Sequence, residues 1–354
     1  MRHAKGTIIS DQTLVEFYEQ LLLAANVDES EANIIASVLA WFDLIGRPLH
    51  SAVRLPIYLK RFELGLIKSP CRPAFTKKAE TLMAIDGHDG FGQYLGHIAM
   101  QEAIWMADET GVGVVAVKRS NHFGAGAYYV QLAAKQKKLG LAMSNVVPKV
   151  APHGGTTPVL GTNPFAFAAP TRSEQSILVD FSTGASAGSK VRRAAERGEP
   201  LPTGAFVDEE GQPVTDARQV EQGAGTMLPF GAAKGFCLGL MVEILGGVIT
   251  GAAISHEIAS VYKDFERSSN LGQLFIAIDI DKLIPLTQYY ERMDTLIGFV
   301  KQAKPQPGFD EVLLPGETRW RNYQRYQQDG VPLSEEAISR LTHLAQKFSV
   351  PVPW

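Results

Sequence analysis

Hydrophobic positions in the first 70 residues recur at the three- and four-residue spacing of amphipathic helices. This pattern predicts one helix over residues 11–27, with Ser10 as its N-cap, and a second over residues 29–46. A third helical pattern covers residues 51–67 and is broken near Pro56. The first fifth of the chain is therefore predicted to be helical.

From about residue 75 the pattern changes to short apolar segments that alternate with helical ones. Strands are predicted over residues 79–87, 112–120, 139–146, 164–170, 176–182 and 271–280. Helices are predicted over residues 90–111, within 119–140, over 189–197, and near the end of the chain over 294–302 and 334–348. Alternating strands and helices indicate an α/β fold.

The longest apolar run covers residues 236–254 and is long enough to raise the question of a membrane span. Glu243 lies in its middle, glycines interrupt it and no aromatic residues flank it as a belt. We therefore expect a buried, close-packed helix and no membrane association.

The composition is that of an ordinary globular protein, with 45% hydrophobic and 20% charged residues among 354. This length predicts two or three lobes or one large α/β unit. A net charge of −3 gives no reason to expect nucleic acid as a partner. Only two cysteines occur, Cys71 and Cys237, and the first residues lack the apolar core of a signal peptide. These features predict a cytoplasmic protein without a disulfide framework or a zinc cluster.

A dinucleotide fingerprint is present only as a string, "GVGVVA" at residues 111–116. The fingerprint must end a strand and open a helix, but here it follows a helix and begins a strand. A Rossmann nucleotide domain is therefore not indicated.

Two histidines lie at junctions between predicted elements. His50 precedes Arg54 by four residues, a spacing that places both side chains on one helix face. Arg54 could bind a carboxylate and His50 could exchange a proton with an adjacent oxygen, although an exposed polar helix face explains the same spacing. His122 follows an apolar strand and precedes Gly124 and Gly126, an arrangement that serves either packing or ligand binding.

Several longer stretches, in order along most of the chain, resemble the type-2 malate/L-lactate dehydrogenase family. They include "DLIGRPLHSAVRLPIYLKRFELG", "SNHFGAGAYY", "LGTNPFAFAAP", "LPFGAAKGFCLGLMVEILGGVITGA" and "LLPGE". The resemblance implies an NAD(P)-binding domain that is not a Rossmann domain, with a mixed, largely antiparallel sheet, over residues 76–284. It also implies a helical dimerisation and substrate domain, formed by residues 1–75 with about 285–354, and a homodimer.

The resemblance further implies hydride transfer between NAD or NADP and a small carboxylate, a 2-oxo or 2-hydroxy acid. His50 would be the acid/base, Arg54 would bind the substrate carboxylate, and His122 would line the site near the nicotinamide. The implied cofactor-binding residues are His122, Asn145, Gly161, Thr162, Asn163, Pro164, Asp180, Ser182, Thr183, Lys190, Lys234 and Gly235. Lys234 and Gly235 also begin a predicted helix, whose N-terminal amides favour anions. No metal site is implied.

The chain departs from the family where Leu49-His50-Ser51 replaces the usual Ser-His-Gly. An apolar Leu49 would favour a substrate with a more apolar side chain. The alternatives are an NADPH-dependent reductase of cyclic ketimines and a nucleotide-binding relative with little turnover. A metal-dependent hydrolase that uses His50, His122 and His153 ranks last, because no carboxylate pattern accompanies these histidines.

Overall fold

A seven-stranded sheet forms the centre of the computed structural model, which describes residues 7–173 and 175–354. Its strands follow the order β2-β3-β4-β10-β5-β6-β7. They are β2 (Ala74–Ala79), β3 (Leu82–Asp86), β4 (Val112–Ser120), β5 (Lys138–Ser144), β6 (Phe165–Ala169), β7 (Ile177–Phe181) and β10 (Leu271–Asp279). Every neighbouring pair is antiparallel except β3 and β4, so the predicted mixed, largely antiparallel sheet is confirmed.

Helices from both ends of the chain share one apolar core, as predicted. The helices are α1 (Asp11–Ala24), α2 (Glu29–Leu44), α3 (Leu55–Glu63), α4 (Gly92–Thr110), α5 (Ala127–Lys135), α6 (Gly188–Arg197), α7 (Ala217–Glu221), α8 (Ala233–Glu243), α9 (Leu286–Gln302), α10 (Glu317–Asp329) and α11 (Glu335–Phe348). Two-stranded pairs join β1 (Ile8–Ile9) to β11 (Val331–Pro332) and β8 (Phe206–Val207) to β9 (Thr226–Met227). The shared core contains Leu14 of α1, Leu39 of α2 and Leu341 of α11, all fully buried. The exact division into two domains stays a prediction.

Several predicted elements differ from the observed ones. The helical pattern at residues 51–67 gives a helix only from Leu55, because Pro56 fits the first turn of a helix rather than breaking one. Strand β2 was missed because all six of its side chains are exposed and leave no alternating pattern. Helix α10 was missed for a similar reason, since Trp320 is its one buried residue.

The apolar run at residues 236–254 is not the buried, close-packed helix that its composition suggests. Helix α8 ends at Glu243, and a wider π-helical turn covers Ile244–Val248. Together, α8 and this π turn expose the side chains of Leu240, Met241, Ile244 and Val248, which we call the α8 apolar face. Within the described ranges, no helix has both the length and the apolar content needed to cross a membrane.

One buried carboxyl connects α1, α2 and the loop that follows α2. Asp43 of α2 accepts a hydrogen bond from the Tyr18 hydroxyl at 2.7 Å and another from the Ser51 hydroxyl. Burial raises the pKa of Asp43 to about 7, although the two hydroxyl donors oppose the shift. Ser51 is the residue after His50, so this carboxyl anchors the loop that carries the predicted acid/base.

The raised pKa of Asp43 predicts a pH-dependent stability. An acid with a raised pKa in the folded protein stabilises it fully below the ordinary value of 3.8 and progressively less as the pH rises through about 7. The contribution to the free energy of unfolding should fall by roughly 4 kcal/mol over this window. Denaturant unfolding at pH 5 and pH 8 should therefore show that the advantage of the wild type over Asp43→Asn shrinks at the higher pH.

Asp329→Asn, at an exposed position near the end of α10, is the matched control and should show a constant difference from the wild type. An Asp43→Asn difference that stays equally constant would contradict the assignment.

Candidate active site

His50 lies at the end of a short 3₁₀ turn, Pro48–His50, between α2 and α3. Its ring centroid is 5.9 Å from that of Phe42, and its Nδ1 atom is enclosed with no hydrogen-bond partner among the described residues. A buried nitrogen without a partner is costly in a protein that lacks a ligand at that point. Nδ1 of His50 is therefore free to bind a proton or to form a hydrogen bond with a ligand.

His122, directly after β4, lies parallel to His50. The two ring centroids are 6.3 Å apart and the rings deviate from parallel by 9°. Nδ1 of His122 accepts the backbone N–H of Gly124 at 3.2 Å and contacts the Tyr58 hydroxyl at 2.6 Å. Since a backbone N–H can only donate, Nδ1 is the acceptor, and the neutral ring carries its proton on Nε2. The Gly124 N–H therefore fixes this tautomer, the Tyr58 hydroxyl donates to the same Nδ1, and Nε2 of His122 is left as an N–H donor.

The contacts at the two glycines after His122 favour the packing interpretation of this junction. Gly124 has a φ of +88°, and a Cβ there would lie 2.3 Å from the Phe42 ring. A Cβ at Gly126 would lie 2.5 Å from the Cβ of Ala166. Each glycine leaves room for a protein side chain, and Gly124 in particular lets the Phe42 ring come close to His50.

Arg54 is held so that its terminal nitrogens stay free. Its Nε donates to the carbonyl of Leu49 at 2.9 Å, and the guanidinium carbon lies 4.7 Å from the ring centroid of Tyr262. No described residue forms a hydrogen bond or ion pair with its Nη1 or Nη2. Those two nitrogens can bind a carboxylate side by side. Leu49 contributes through its backbone, which any residue type supplies.

Positive charge surrounds both histidines. Burial, followed by the charges of Arg54, Arg47 and Arg319, lowers the pKa of His50 to about 3. Burial, Arg54 and His50 lower the pKa of His122 well below its usual value. Both rings are therefore neutral at pH 7 in the protein without ligand.

A cavity of about 530 Å³ lies between the end of α2, β7 and α10. Arg47, Asp180, Phe181 and Arg319 are among its lining residues. Nη1 of Arg319 is buried without a hydrogen-bond partner in the described chain, although it lies 3.3 Å from the Asp180 carboxylate. Two arginines against one carboxylate leave the cavity positive, which fits the phosphates of a nicotinamide nucleotide.

The structure brings three of the predicted cofactor segments together, and Asp180 and Phe181 of one segment line this cavity. The Thr183 hydroxyl donates to the carbonyls of Thr162 and Asn163, and the N–H of Phe230 donates to the carbonyl of Thr183. Phe230 also packs edge-to-face against Phe181 of the cavity, with 5.7 Å between ring centroids and 83° between ring planes. These bonds join the segments 161–164 and 180–183 to residues 230–235 at the start of α8. The predicted residues within the three segments are Gly161, Thr162, Asn163, Pro164, Asp180, Ser182, Thr183, Lys234 and Gly235.

The side chains of Asn145 and Asn163 face inward and are fully buried. Both donate to the carboxylate of Glu243, at 3.3 Å and 2.7 Å, and the backbone N–H of Ser255 donates to it at 2.9 Å. These two side-chain amides therefore hold the loops around the sheet together. A nucleotide could contact Asn145 and Asn163 only through their backbone atoms. Glu243 was missed as a functional residue, although a lone carboxylate in an apolar run was its signal.

Lys190 does not join this group. It lies exposed near the start of α6, and its neighbour Arg192 forms two hydrogen bonds of 3.0 Å with Glu336 of α11. Arg192 is thus engaged in a half-exposed ion pair with α11. Sequence reasoning also missed Arg47, Tyr58, Lys149, Tyr262 and Arg319, which come together only by folding.

His153, the third histidine of the hydrolase alternative, is exposed in the loop after β5. In the described part of the chain, no group of three or more His, Cys, Asp or Glu side chains is arranged to hold a metal ion. The hydrolase alternative therefore gains no support from the geometry.

Known proteins share this sequence and this architecture. The family profile described as malate/L-lactate dehydrogenase matches residues 9–342. The malate/(S)-sulfolactate dehydrogenase of Methanothermus fervidus is 35% identical over 347 residues, 98% of this chain and 100% of that protein. The crystal structure of malate dehydrogenase from Entamoeba histolytica superposes with a TM-score of 0.92 at 27% identity, covering 99% of this chain and 100% of that one. Δ1-Piperideine-2-carboxylate reductase from Pseudomonas syringae gives 0.84 at 30% identity, covering 96% and 100%. The chain belongs to the malate/L-lactate dehydrogenase family and is a nicotinamide nucleotide-dependent oxidoreductase of 2-hydroxy and 2-oxo acids.

Proposed function

We propose that His50 is the acid/base of this oxidoreductase and that Arg54 binds the carboxylate next to the reacting carbon. The observation that carries this assignment is the arrangement of His50 and His122, two neutral, parallel rings beside a guanidinium whose Nη atoms are free. A 2-hydroxy acid needs a base for its hydroxyl proton and a cation for its carboxylate, and both are within one 3₁₀ turn and the start of α3.

The low pKa of His50 suits oxidation of a 2-hydroxy acid, because a neutral imidazole accepts the hydroxyl proton. In the reverse direction His50 must first gain a proton. A carboxylate on Arg54 neutralises one of the charges that lower the pKa of His50, so substrate binding itself favours protonation. His122, with its proton on Nε2, donates a hydrogen bond toward the same oxygen.

The cavity beside Arg47 and Arg319 is proposed as the site of NAD or NADP, which supplies or accepts the hydride when bound. Arg319 and Arg47 bind its phosphates, Asp180 and Phe181 form part of the wall, and the Thr183 hydroxyl links this strand end to segment 161–164. The charges of Arg47 and Arg319, like the charge of Arg54, lower the pKa of His50. Anionic groups of the cofactor and of the substrate would therefore both affect the pKa of His50.

The oligomer is proposed to be a homodimer that buries the α8 apolar face. Leu240, Met241, Ile244 and Val248 recur along one side of α8 and its π turn, each more than a third exposed. A continuous exposed apolar patch of this kind marks an interaction surface. Both cysteines are free thiols, which fits the proposed cytoplasmic location.

The reaction and the two roles can be tested together. The wild type should oxidise NADH or NADPH with at least one 2-oxo acid from a panel that includes cyclic imines, followed at the nicotinamide absorbance. His50→Ala should lower kcat about a hundredfold or more, since it removes the proton transfer. Arg54→Ala should raise KM first, at a cost of about 2–4 kcal/mol in kcat/KM.

His343→Ala, an exposed histidine of α11, is the control and should behave as the wild type. Near-normal kcat in His50→Ala would make His122 the next candidate for the proton donor. Turnover of cyclic imines alone would identify the protein as a ketimine reductase, and nucleotide binding without turnover would identify the less active relative.

The position of the cofactor predicts a separate binding defect. Arg319→Gln removes a charged donor from the cavity, so the Kd of NADH or NADPH should rise about tenfold, the equivalent of one charge-assisted hydrogen bond. A titration of nucleotide fluorescence measures this without substrate. Arg292→Gln, on the exposed side of α9, is the charge-matched control. Equal Kd values for the two variants would place the phosphates elsewhere.

The proposed dimer predicts a mass of twice the chain in light scattering at micromolar concentration. Ile244→Glu should produce a monomer, because two buried carboxylates would have to pack against an apolar surface. Leu283→Glu, at an exposed apolar position outside the α8 apolar face, should leave the dimer intact. A monomeric wild type, or a dimeric Ile244→Glu, would argue against this interface.

A further inference from the structure

Gln93 is a fully buried glutamine in the first turn of α4, and neither polar atom of its amide has a hydrogen-bond partner among the described residues. Every other buried residue of this helix is apolar or a glycine. A buried amide without a partner lowers stability, and most buried amides in proteins are hydrogen-bonded. An amide at this position therefore indicates a role other than packing.

The first turn of α4 lies against the backbone that leads to His122. A Cβ at Gly92 would lie 2.2 Å from the carbonyl oxygen of Asn121 and 2.6 Å from that of His122. Gln273 reaches the same place, since its Nε2 donates to the Asn121 carbonyl at 3.0 Å. The side-chain oxygens of Asn121 and Gln273 are buried and lack a donor within the described ranges. Gln93, the residue after Gly92, therefore lies in a polar region next to His122.

The Tyr58 hydroxyl links Gln93 to His122. Burial raises the pKa of Tyr58, while the charge of Arg54 and then the amide of Gln93 oppose the rise. An uncharged amide acts on a pKa only at short range, as a hydrogen-bond donor to the charged form. The single hydroxyl proton is directed at Nδ1 of His122, 2.6 Å away, so the Tyr58 oxygen is left as an acceptor. The N–H2 end of Gln93 is therefore the end from which this oxygen can accept a hydrogen bond.

We propose that Gln93 is a positioning residue that acts through Tyr58 on His122. Its amide donates to the Tyr58 oxygen, Tyr58 donates to Nδ1 of His122, and Nε2 of His122 donates to the oxygen on the reacting carbon. Each donor in such a chain polarises the next one, so the hydrogen bond to the substrate oxygen strengthens as negative charge develops there. That charge is present in the transition state and absent from the bound acid, so the effect falls on kcat. The inference rests on the proposed place of His122 beside the reacting oxygen.

Gln93→Met tests this role, because it removes the amide and keeps the length of the side chain. With the 2-oxo acid that the wild type reduces most efficiently, kcat should fall about tenfold, the loss expected for one buried hydrogen bond, while KM changes less than about twofold. Gln101→Met, at a half-buried position two turns further along α4, is the control and should retain the kcat of the wild type. Gln93→Leu removes the same amide with a different shape and should give the same loss.

A double-mutant cycle separates action through Tyr58 from a general loss of packing. Tyr58→Phe removes the hydroxyl that receives the amide, so adding Gln93→Met to this variant should change kcat less than about twofold. If Gln93 only supports the fold, the two substitutions should lower kcat by independent factors that multiply. Circular dichroism and the thermal midpoint of each variant confirm that it is folded before the comparison.

Nitrogen NMR on protein with labelled histidines keeps this inference separate from the proposed reaction. In the wild type without substrate, His122 should carry its proton on Nε2 and show a hydrogen-bonded Nδ1, and its signals are identified by their loss in His122→Gln. Gln93→Met should move the Nδ1 resonance toward that of an unbonded nitrogen, and Tyr58→Phe should move it further. These shifts without turnover of any 2-oxo acid would support the chain of donors while contradicting the proposed reaction.

Three results would overturn the inference: an equal loss of kcat from Gln93→Met in the wild type and in Tyr58→Phe, a rise in KM without a fall in kcat, or a His122 Nδ1 resonance that Gln93→Met leaves unmoved. The first result would assign Gln93 to the packing of α4. The second would place its effect on substrate binding rather than on the transition state.

Discussion

The position of His50 depends on one buried carboxyl, that of Asp43. Tyr18 of α1 and Ser51 of the active-site loop both donate to it, so two helices and the loop meet at a single polar group inside an apolar core. A buried carboxyl without those donors would be far less stable, and this cost ties the loop to one conformation. The serine that the family usually carries before the histidine is here found after it. The hydroxyl of Ser51 binds the buried Asp43 and so holds the loop in place. The position before His50 is occupied by Leu49, whose carbonyl accepts a hydrogen bond from Arg54 and orients it.

A second buried carboxylate, Glu243, performs the same task for the other half of the site. It receives the amides of Asn145 and Asn163 and so connects the loops after β5 and before β6 to α8. Those asparagines look like ligand contacts in the sequence, yet their polar atoms are used within the protein. Among the described residues, no carboxylate forms an ion pair with His50 or His122. Burial, reinforced by the charges of Arg54, Arg47 and Arg319, keeps His50 neutral, so an anion that binds nearby would raise its pKa.

Much of the site could be predicted because its residues lie close together in the chain or belong to a resembling motif. The pair His50 and Arg54 was found through its four-residue spacing and the resemblance, but the prediction of a shared helix face was wrong, because the 3₁₀ turn ends at His50, residues 51–54 form a turn and α3 begins only at Leu55. Both residues nevertheless act on His122, whose ring is parallel to that of His50. The sequence also predicted correctly that "GVGVVA" is not a dinucleotide-binding fingerprint, since α4 ends immediately before Gly111 and β4 begins directly after it. Arg319 and Lys149 gave no local signal, because each is a single basic residue in a polar stretch.

The sequence by itself determined the alternation of helices and strands and the helical unit built from both ends, and together with the resemblance it singled out His50 as the proposed acid/base. Apolar periodicity fixes which face of each element is buried, and that information is local. Tertiary structure alone decided the order of strands, the exposure of the α8 apolar face and the meeting of Tyr58 with His122 across more than sixty residues. It also decided the charge around His50, because electrostatic interactions depend on distance in space and not along the chain.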